Sequence, residues 1–441
     1  MPPGGGAAGP AARPAGGHCR GPEAIAPTRF FESALADSGD SDAETSEELF
    51  YQQQQDAEDL LSAALNLDVR EAYLDVHYRS RNEDLIGFSN HAYYGSRLQP
   101  IPGHPRNKAL STPIRLHRVD GVYQERANIQ EAEAAVALVA ELLAEPQPPS
   151  IGVACFNLTQ REAILEAFDQ LAAKDEDFAQ KLETARQRKG PDSFEGLFVK
   201  NFENVQGDER DVMIICTTFG PDPQGKFRRN FGALSQREGG RRLNVLVTRA
   251  RDSIHVLTSI PVKELGATEP LPPGATPNGR LQLYAYLRYA GQLERLYAEH
   301  QDKLEQMRRD TKPEMRMHGN AVPSRLAAAL GQTLLQHHQT GSHVHWGNDG
   351  FSVDVACIHP YMPADVTIGV LADFSRYHKT PDPVAWDLFR TQVLRSQGWE
   401  LERLWSPVLF RRHEEMMQRI NASHERLGRD SATVKKELPS S

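Results

Sequence analysis

Cysteine is scarce in this sequence and never clustered. Cys19, Cys155, Cys216 and Cys357 are the four present, and no two stand in C-x-x-C spacing. That argues against a disulfide framework or a thiolate zinc site and fits a reducing cytoplasm, the compartment expected for the chain. Long apolar runs are also missing. No stretch approaches the roughly 18 residues that a membrane span needs, so no membrane partner is expected. The opening "MPPGGGAAGPAARPAGGHCRGPE" has no apolar centre of the secretory kind, and residues 1–23 read as a disordered N-terminus. An excess of positive charge is lacking too, the net charge being -9. Any affinity for an anionic polymer must therefore come from local patches.

What is there, over 441 residues, is enough for two or three domains. Residues 36–59 hold nine acidic residues and no basic one, with glutamines at 52–55, and read as a solvated insertion. "DVREAYLDVHYRSRNEDLIGFSNHAYYG" reads as a strand followed by a helix. "ANIQEAEAAVALVAELLAE" reads as a helix with Ile129, Ala132, Val136, Val139 and Leu143 on one face. "IGVACF" is a short buried strand and "TQREAILEAFDQLAA" a helix. "FEGLFVKNF" and "ERDVMIICTTF" are strands, "GRRLNVLVTRAR" a helix, and "SIHVLTSI" a strand. Buried apolar strands alternating with helices imply an α/β fold with a parallel sheet. A Pro/Gly-rich patch and a charged helix to about residue 310 separate this region from a second α/β unit. The second unit begins at Ser324 with a helix. It continues with the strands "GFSVDVACIHP" and "VTIGVLADF", the helix "PVAWDLFRTQVLRSQG" and the strand "WELERLWS".

The stretch "CTTFGPDPQGKF" contains G-x-x-x-x-G-K from Gly220 to Lys226, directly after a predicted strand. A working phosphate loop presents backbone N–H groups to the phosphates, adds a Lys, and then a Ser or Thr for magnesium at a helix start. Here Phe227 stands where Ser or Thr is needed. Pro221 and Pro223 supply no N–H, and no helix start follows. The stretch is therefore read as a decoy, and no other segment fits a phosphate loop better.

The flanks of the decoy carry more information. "VQGDERDVMIIC" precedes it and "RRLNVLVTRARDSIHVLTS" follows it. Together they resemble motifs V and VI of superfamily-1 helicases. The likeness is strongest to the branch that includes the nonsense-mediated-decay helicase and its large bacterial relatives. "HYRSRNEDLIGFSN" is similar to motif IV, "IGVACFNLTQREAI" to the unit after it, and "APTRFFESAL" to the tail of motif III, with Ala24 where the family has Gln. The resemblance covers residues 24–295 and implies the second, RecA-like lobe of a P-loop NTPase motor. The first lobe, with its phosphate loop and Mg-binding acidic motif, is not matched, so an upstream or separate first lobe is the implied partner.

That resemblance implies roles for particular residues. Arg249 would face the γ-phosphate of ATP, and Arg79 and Arg251 are further catalytic candidates. Gln206, Gly207 and Glu209 begin the motif V loop and would lie at the nucleotide, where Gly permits close approach. Thr248, Asn244 and Arg81 would touch nucleic acid or orient the loops. ATP and Mg2+ are the implied cofactors, shared with a first lobe. Single-stranded nucleic acid, DNA by preference, is the implied partner. Independently of the resemblance, residues 226–251 contain eight basic residues and one acidic, which favours a polyphosphate nearby. Charge runs of this kind also form solvated faces that pair with carboxylates. A non-catalytic nucleic-acid-binding protein and a degenerate nuclease stay open as alternatives.

Residues 324–412 resemble a restriction-endonuclease-like domain of the very-short-patch-repair kind. Residues 296–322 would then be a helical linker and 413–441 a helical or disordered tail. The frame is "VDVAC", "IGVLADFSRYH" and "FRTQVLRSQGWELERLWS". In such nucleases two or three carboxylates hold Mg2+. Asp354 matches the first carboxylate, and Asp373 and His378 match a D-x-x-x-x-H element. Leu371 stands where a Glu is expected, and Ala327 lies in the first helix where another Glu is usual. The resemblance therefore implies a degenerate site. His337, His338, His343 and His345 lack the spacing of a zinc site, although His343 and His345 would share a strand face.

Overall fold

A computed structural model of the chain describes residues 73–105, 112–190, 194–236, 239–266, 278–307, 313–317, 324–347, 351–362, 365–372 and 382–437. The N-terminal stretch, the acidic segment 36–59, Asp373 and His378 lie outside these residues.

The first half is built on parallel pairing. β1 (Val76–His77) is followed by α1 (Asp84–Tyr93) and β2 (Gln99–Pro100), which pairs with β1. Then come β3 (Ile114–Arg118), α2 (Ile129–Leu143), β4 (Ile151–Cys155), α3 (Leu158–Ala172), α4 (Glu176–Arg186), β5 (Phe198–Asn201), β6 (Arg210–Cys216), α5 (Gly239–Val247) and β7 (Ala250–Thr258). Five strands form one sheet in the order β3-β7-β6-β4-β5, every pair parallel. This is the α/β architecture of a RecA-like lobe. Strand β4 is buried along its whole length, which is why it reads as an unbroken apolar run.

Local chemistry sets the helix starts. Asn128, Asn157 and Asp175 cap α2, α3 and α4 by accepting from the N–H groups of Glu131, Gln160 and Phe178. Helix α2 buries Ala132, Val136, Val139 and Leu143 as its periodicity requires, whereas Ile129 is 51% exposed in the first turn. The helix expected over "GRRLNVLVTRAR" is shorter than its pattern suggested. It ends at Val247, because the Thr248 hydroxyl turns back onto the carbonyls of Asn244 and Val245 at 2.9 and 3.0 Å. Arg249 follows in the turn, and Arg251 already belongs to β7.

A buried carboxylate ties the far ends of the central strands to α2. The Oε1 of Glu131 accepts from the Ser259 N–H at 2.7 Å and from the Thr217 hydroxyl at 3.3 Å; its Oε2 accepts from the Thr218 N–H at 2.7 Å. Burial pushes this carboxyl up to about 7, with those hydrogen bonds acting in the opposite direction.

After α6 (Val262–Leu265), α7 (Gly279–Met307) runs unbroken past residue 295. Its Leu283, Tyr284, Leu287, Ala290 and Leu293 are buried. The second unit contains β8 (Met315–Met317), α8 (Arg325–His338), β9 (Ser342–Trp346), β10 (Val353–Ile358), β11 (Val366–Ala372), α9 (Pro383–Ser396), β12 (Leu401–Leu404), α10 (Ser406–Arg411) and α11 (His413–Glu437). Its sheet runs β12-β11-β10-β9-β8. The three central strands are antiparallel and the two edge strands pair in parallel.

Two apolar clusters serve this second sheet. One joins Ala327, Leu330 and Leu334 of α8 to Met416, Met417 and Ile420 of α11. The other contains Leu371, Leu394, Trp399, Phe351 and, from the first half of the chain, Ile101. Leu371 is 3% exposed, so this position is a core position. A carboxylate placed there would be stripped of water with no partner to compensate. Leu371→Glu is expected to destabilise the chain by about 3 kcal/mol or more. Chemical denaturation monitored by Trp fluorescence checks this, and an unchanged midpoint would refute the core placement.

Candidate active site

The candidate residues of the first half gather at the N-terminal ends of β4, β6 and β7. Arg251 is the hub. Its Nη2 meets Glu195 Oε1 at 2.7 Å and the Ser150 hydroxyl at 3.1 Å, its Nε lies 3.0 Å from Asp211 Oδ1, and its Nη1 is 4.0 Å from Glu209 Oε1. Burial alone would lower the pKa of Arg251. The hydrogen bond to Glu195 and the charges of Asp211, Glu195 and Glu209 outweigh it, and the net shift is upward. The guanidinium is thus committed within the protein, and Arg251 does not present an open fork to a phosphate.

Glu209 is shared. Its other oxygen takes Arg79 Nε at 2.6 Å, and Arg79 Nη1 also reaches the Thr248 carbonyl at 3.4 Å. Arg79 therefore sits across the turn that carries Arg249. Arg249 itself donates its Nε to the Val245 carbonyl at 2.8 Å and its Nη2 to the Thr248 hydroxyl at 3.3 Å. Among the described residues no carboxylate forms an ion pair with it. Burial, then the charge of Arg79, pulls its pKa down to about 10, against the opposing pull of Glu209. His77 feels the same surroundings. Burial and the charges of Arg79 and Arg249 hold it down to about 4, so it is neutral at pH 7. Its Nε2 accepts from the Ser80 N–H at 3.3 Å.

The other candidates fall into two groups. Thr248 and Asn244 are buried, and each is used internally. The Thr248 hydroxyl closes α5, and Asn244 Nδ2 donates to the Tyr94 hydroxyl at 3.0 Å. Gln206 and Gly207 are exposed in the turn before β6. Gly207 has φ +91 with open space where a Cβ would stand, so the backbone conformation requires glycine there and packing does not. Arg81 is largely exposed and pairs with Asp252 at 2.9 Å, while its backbone N–H donates to the Arg251 carbonyl at 2.8 Å.

Sequence reading did not single out Glu195, Asp211, Ser150 or Tyr94. Asp211 lies inside the quoted "ERDV" and alternates with Arg210 at the start of a strand, which is a usable signal. Glu195 reaches Arg251 across 56 residues and left none.

The Gly220–Lys226 stretch has a geometry of its own. Asp222 fills it. Its Oδ1 accepts from the N–H groups of Gln224 and Lys226 at 3.1 and 2.9 Å, and its carbonyl accepts from Gly225 at 2.8 Å. Pro221 and Phe227 form a bridge that closes the loop. The amides that a phosphate would need are engaged by a carboxylate of the loop, and Lys226 opens no helix.

In the second unit Asp354 is buried on β10. Its Oδ2 accepts from the Ala372 N–H at 2.9 Å and lies 3.4 Å from the buried Arg390 Nη2. Arg390 also donates to the Ser352 carbonyl. Among the described residues no three His, Cys, Asp or Glu side chains are placed to hold a metal ion. His343 is stacked edge-on with Trp346, and His345 has φ +62, which breaks the regular alternation expected to align the two histidines. No helix among the described residues is long and apolar enough to cross a membrane.

Comparison with known proteins agrees with this division. Residues 52–260 match the AAA_12 family, described as an AAA domain, and residues 331–423 match the family REase_MTES_1575. The chain is similar to the uncharacterized ATP-dependent helicase MG140 of Mycoplasma genitalium, 34% identical over 185 residues. It is equally similar to the homologous protein of Mycoplasma pneumoniae, 34% identical over 186 residues. Each match covers 42% of this chain and 16% of the relative, so only a small part of either relative's length is represented. The chain carries an AAA domain with helicase relatives, followed by a REase domain.

Proposed function

We propose that this chain supplies the arginine-bearing second lobe of an ATP-dependent superfamily-1 helicase, of the branch that includes the nonsense-mediated-decay helicase. The observation that carries the reading is Arg249, a half-buried guanidinium beside a second arginine, with no carboxylate ion pair among the described residues. A protein seldom keeps such a cation without an anion to receive. A triphosphate lying against this surface would place Arg249 and Arg79 at the oxygens where charge develops as the terminal phosphoryl group leaves. Gln206, Gly207 and Glu209 would border the nucleotide. Arg251 would hold the carboxylates that orient Arg79 and the turn after α5, and Thr248 and Asn244 would fix that turn. The carboxylates of this site are paired with arginines, so they do not fit Mg2+. A first lobe with a phosphate loop would hold the metal, and this lobe would contribute cations only.

Hydrolysis is therefore expected only when a first lobe is present. Arg249→Ala should then lower kcat by about 10³ while circular dichroism and thermal unfolding stay as in the parent. Full hydrolysis by that variant would remove Arg249 from the role.

A motor must pass any sequence, so contacts to nucleic acid should fall on backbone phosphates. Single-stranded DNA is the favoured partner, with Arg81 among its contacts and the cytoplasm as the compartment. Binding should weaken at least about tenfold between 50 and 200 mM salt and differ little among sequences. Fluorescence anisotropy with labelled oligonucleotides reads both. Salt-independent affinity would point instead to a protein-interaction role.

The REase domain is proposed to be non-cleaving. The guanidinium of Arg390 already balances Asp354, and Leu371 lies in the core. Supercoiled plasmid should survive incubation with the chain and Mg2+ or Mn2+. Nicking that is lost on Asp354→Ala would show an active nuclease.

A further inference from the structure

The segment that carries Arg79 is gripped from two sides. On one side stands the parallel sheet: Arg79 reaches Glu209, and the Arg81 N–H donates to the Arg251 carbonyl. On the other stands the REase domain. Gln397, 1% exposed just beyond α9, donates its Nε2 to the Tyr78 carbonyl at 3.0 Å. Its own backbone carbonyl accepts from the His104 N–H at 3.1 Å. Trp399 donates its Nε1 to the Pro102 carbonyl at 2.7 Å, and its ring meets His104 edge-on at 5.0 Å. Ile101 is buried in one cluster with Leu371, Leu394 and Trp399.

These contacts act on a short, closed frame. β1 and β2 pair at Val76↔Gln99 and His77↔Pro100, so the chain entering the Arg79 segment is bonded to the chain leaving α1. The REase domain holds both sides of this frame, at Tyr78 and at residues 101–104. A peptide unit is planar. Fixing the Tyr78 carbonyl therefore fixes the plane that contains the Arg79 nitrogen, and with it the direction in which Arg79 leaves the backbone.

We infer that Gln397 and Trp399 are positioning residues for Arg79, and that the REase domain serves as the outer wall of the phosphate-facing site. The inference rests on the reading above in one respect, that Arg79 meets a phosphate. It also accounts for Leu371: a side chain that helps hold Ile101 has to be apolar, and a metal-binding carboxylate there would loosen the frame.

The test uses the full chain with Gln397→Met, which keeps the volume and removes the donor. Trp399→Phe is the second variant, since it keeps a ring in the core and removes only the N–H. Hydrogen exchange is followed at the amides of Ser80 and Arg81, with Val153, Ile214 and Val355 as internal references for folding. Both variants should speed exchange at Ser80 and Arg81 severalfold and leave the references unchanged. Tripolyphosphate binding, read by calorimetry, should weaken about fivefold, the equivalent of one lost hydrogen bond. In an Arg79→Ala background neither variant should weaken it further. Unchanged exchange at Ser80 and Arg81 in both variants would overturn the inference, as would an equal loss of binding in the Arg79→Ala background. Should Arg249→Ala leave tripolyphosphate binding intact, the phosphate reading of the site is what fails. The exchange measurement then decides by itself whether the REase domain holds the segment.

Discussion

The site depends on how Arg251 distributes negative charge. Three carboxylates, Glu195, Asp211 and Glu209, lie within ion-pair distance of one guanidinium at the edge of the parallel sheet. They come from separate parts of the chain, so the pairing holds β4, β6, β7 and the strand-entry turns in one register. It also determines which cation is left over. Glu209 is divided between Arg251 and Arg79, and nothing negative remains for Arg249. A guanidinium with a pKa near 10 is still protonated at neutral pH, by about three powers of ten. The cost of keeping it beside Arg79 is therefore real in the empty site. An anion seated between the two arginines would relieve it, and binding energy of that origin is directed at phosphate oxygens rather than at a base.

The remaining architecture keeps that arrangement stiff. The parallel strands are bonded on both sides except at β3 and β5, and Glu131 fastens their opposite ends to α2 through two backbone amides and a hydroxyl. The cationic edge is thus carried by a rigid platform. Only the segment around Arg79 enters from outside the sheet, and it is the segment that the second domain grips. A loop that brings a charged side chain to a site needs such bracing, because a displacement of about 1 Å can cost catalysis two orders of magnitude.

Much of this was legible in the sequence where the signal is local. The buried strands β4, β6 and β7 stand out as apolar runs, and α2 and α3 by their period and their Asn caps. Strand β3 left no such mark: "IRLHR" is an edge strand with one fully buried residue. Helix α4 is equally quiet, since "EDFAQKLETAR" buries only Phe178 and Leu182, one turn apart. The end of α5 was misread because "TRAR" continues a helical charge pattern, and what stops the helix is the Thr248 hydroxyl bonding its own last turn. The candidate residues Arg79, Glu209, Arg249 and Arg251 were named from ordered motifs, and the structure brings them into one cluster. Their division of labour was not readable, because it depends on Glu195 and Asp211. The hold of Gln397 on Tyr78 spans 319 residues and has no local trace at all.

The decoy loop and Arg249 show why residue types alone do not define a phosphate site. Both carry the right ingredients, glycine-flanked amides and a lysine in one case, a guanidinium in the other. What separates them is occupancy by the protein's own charges. In the loop, the Asp222 carboxylate has taken the amides of Gln224 and Lys226, so a phosphate would have to displace an anion that is covalently always present. Such an internal ligand has an effective concentration that a free nucleotide does not reach. At Arg249 the nearby carboxylates are held by Arg251 and Arg79, and an incoming phosphate displaces only the Val245 carbonyl and the Thr248 hydroxyl, both neutral. Exchanging a neutral acceptor for a charged one strengthens the hydrogen bond about twofold. Competition therefore favours an incoming phosphate at the turn after α5 and disfavours it in the loop, although the loop's sequence looks more like a nucleotide-binding motif.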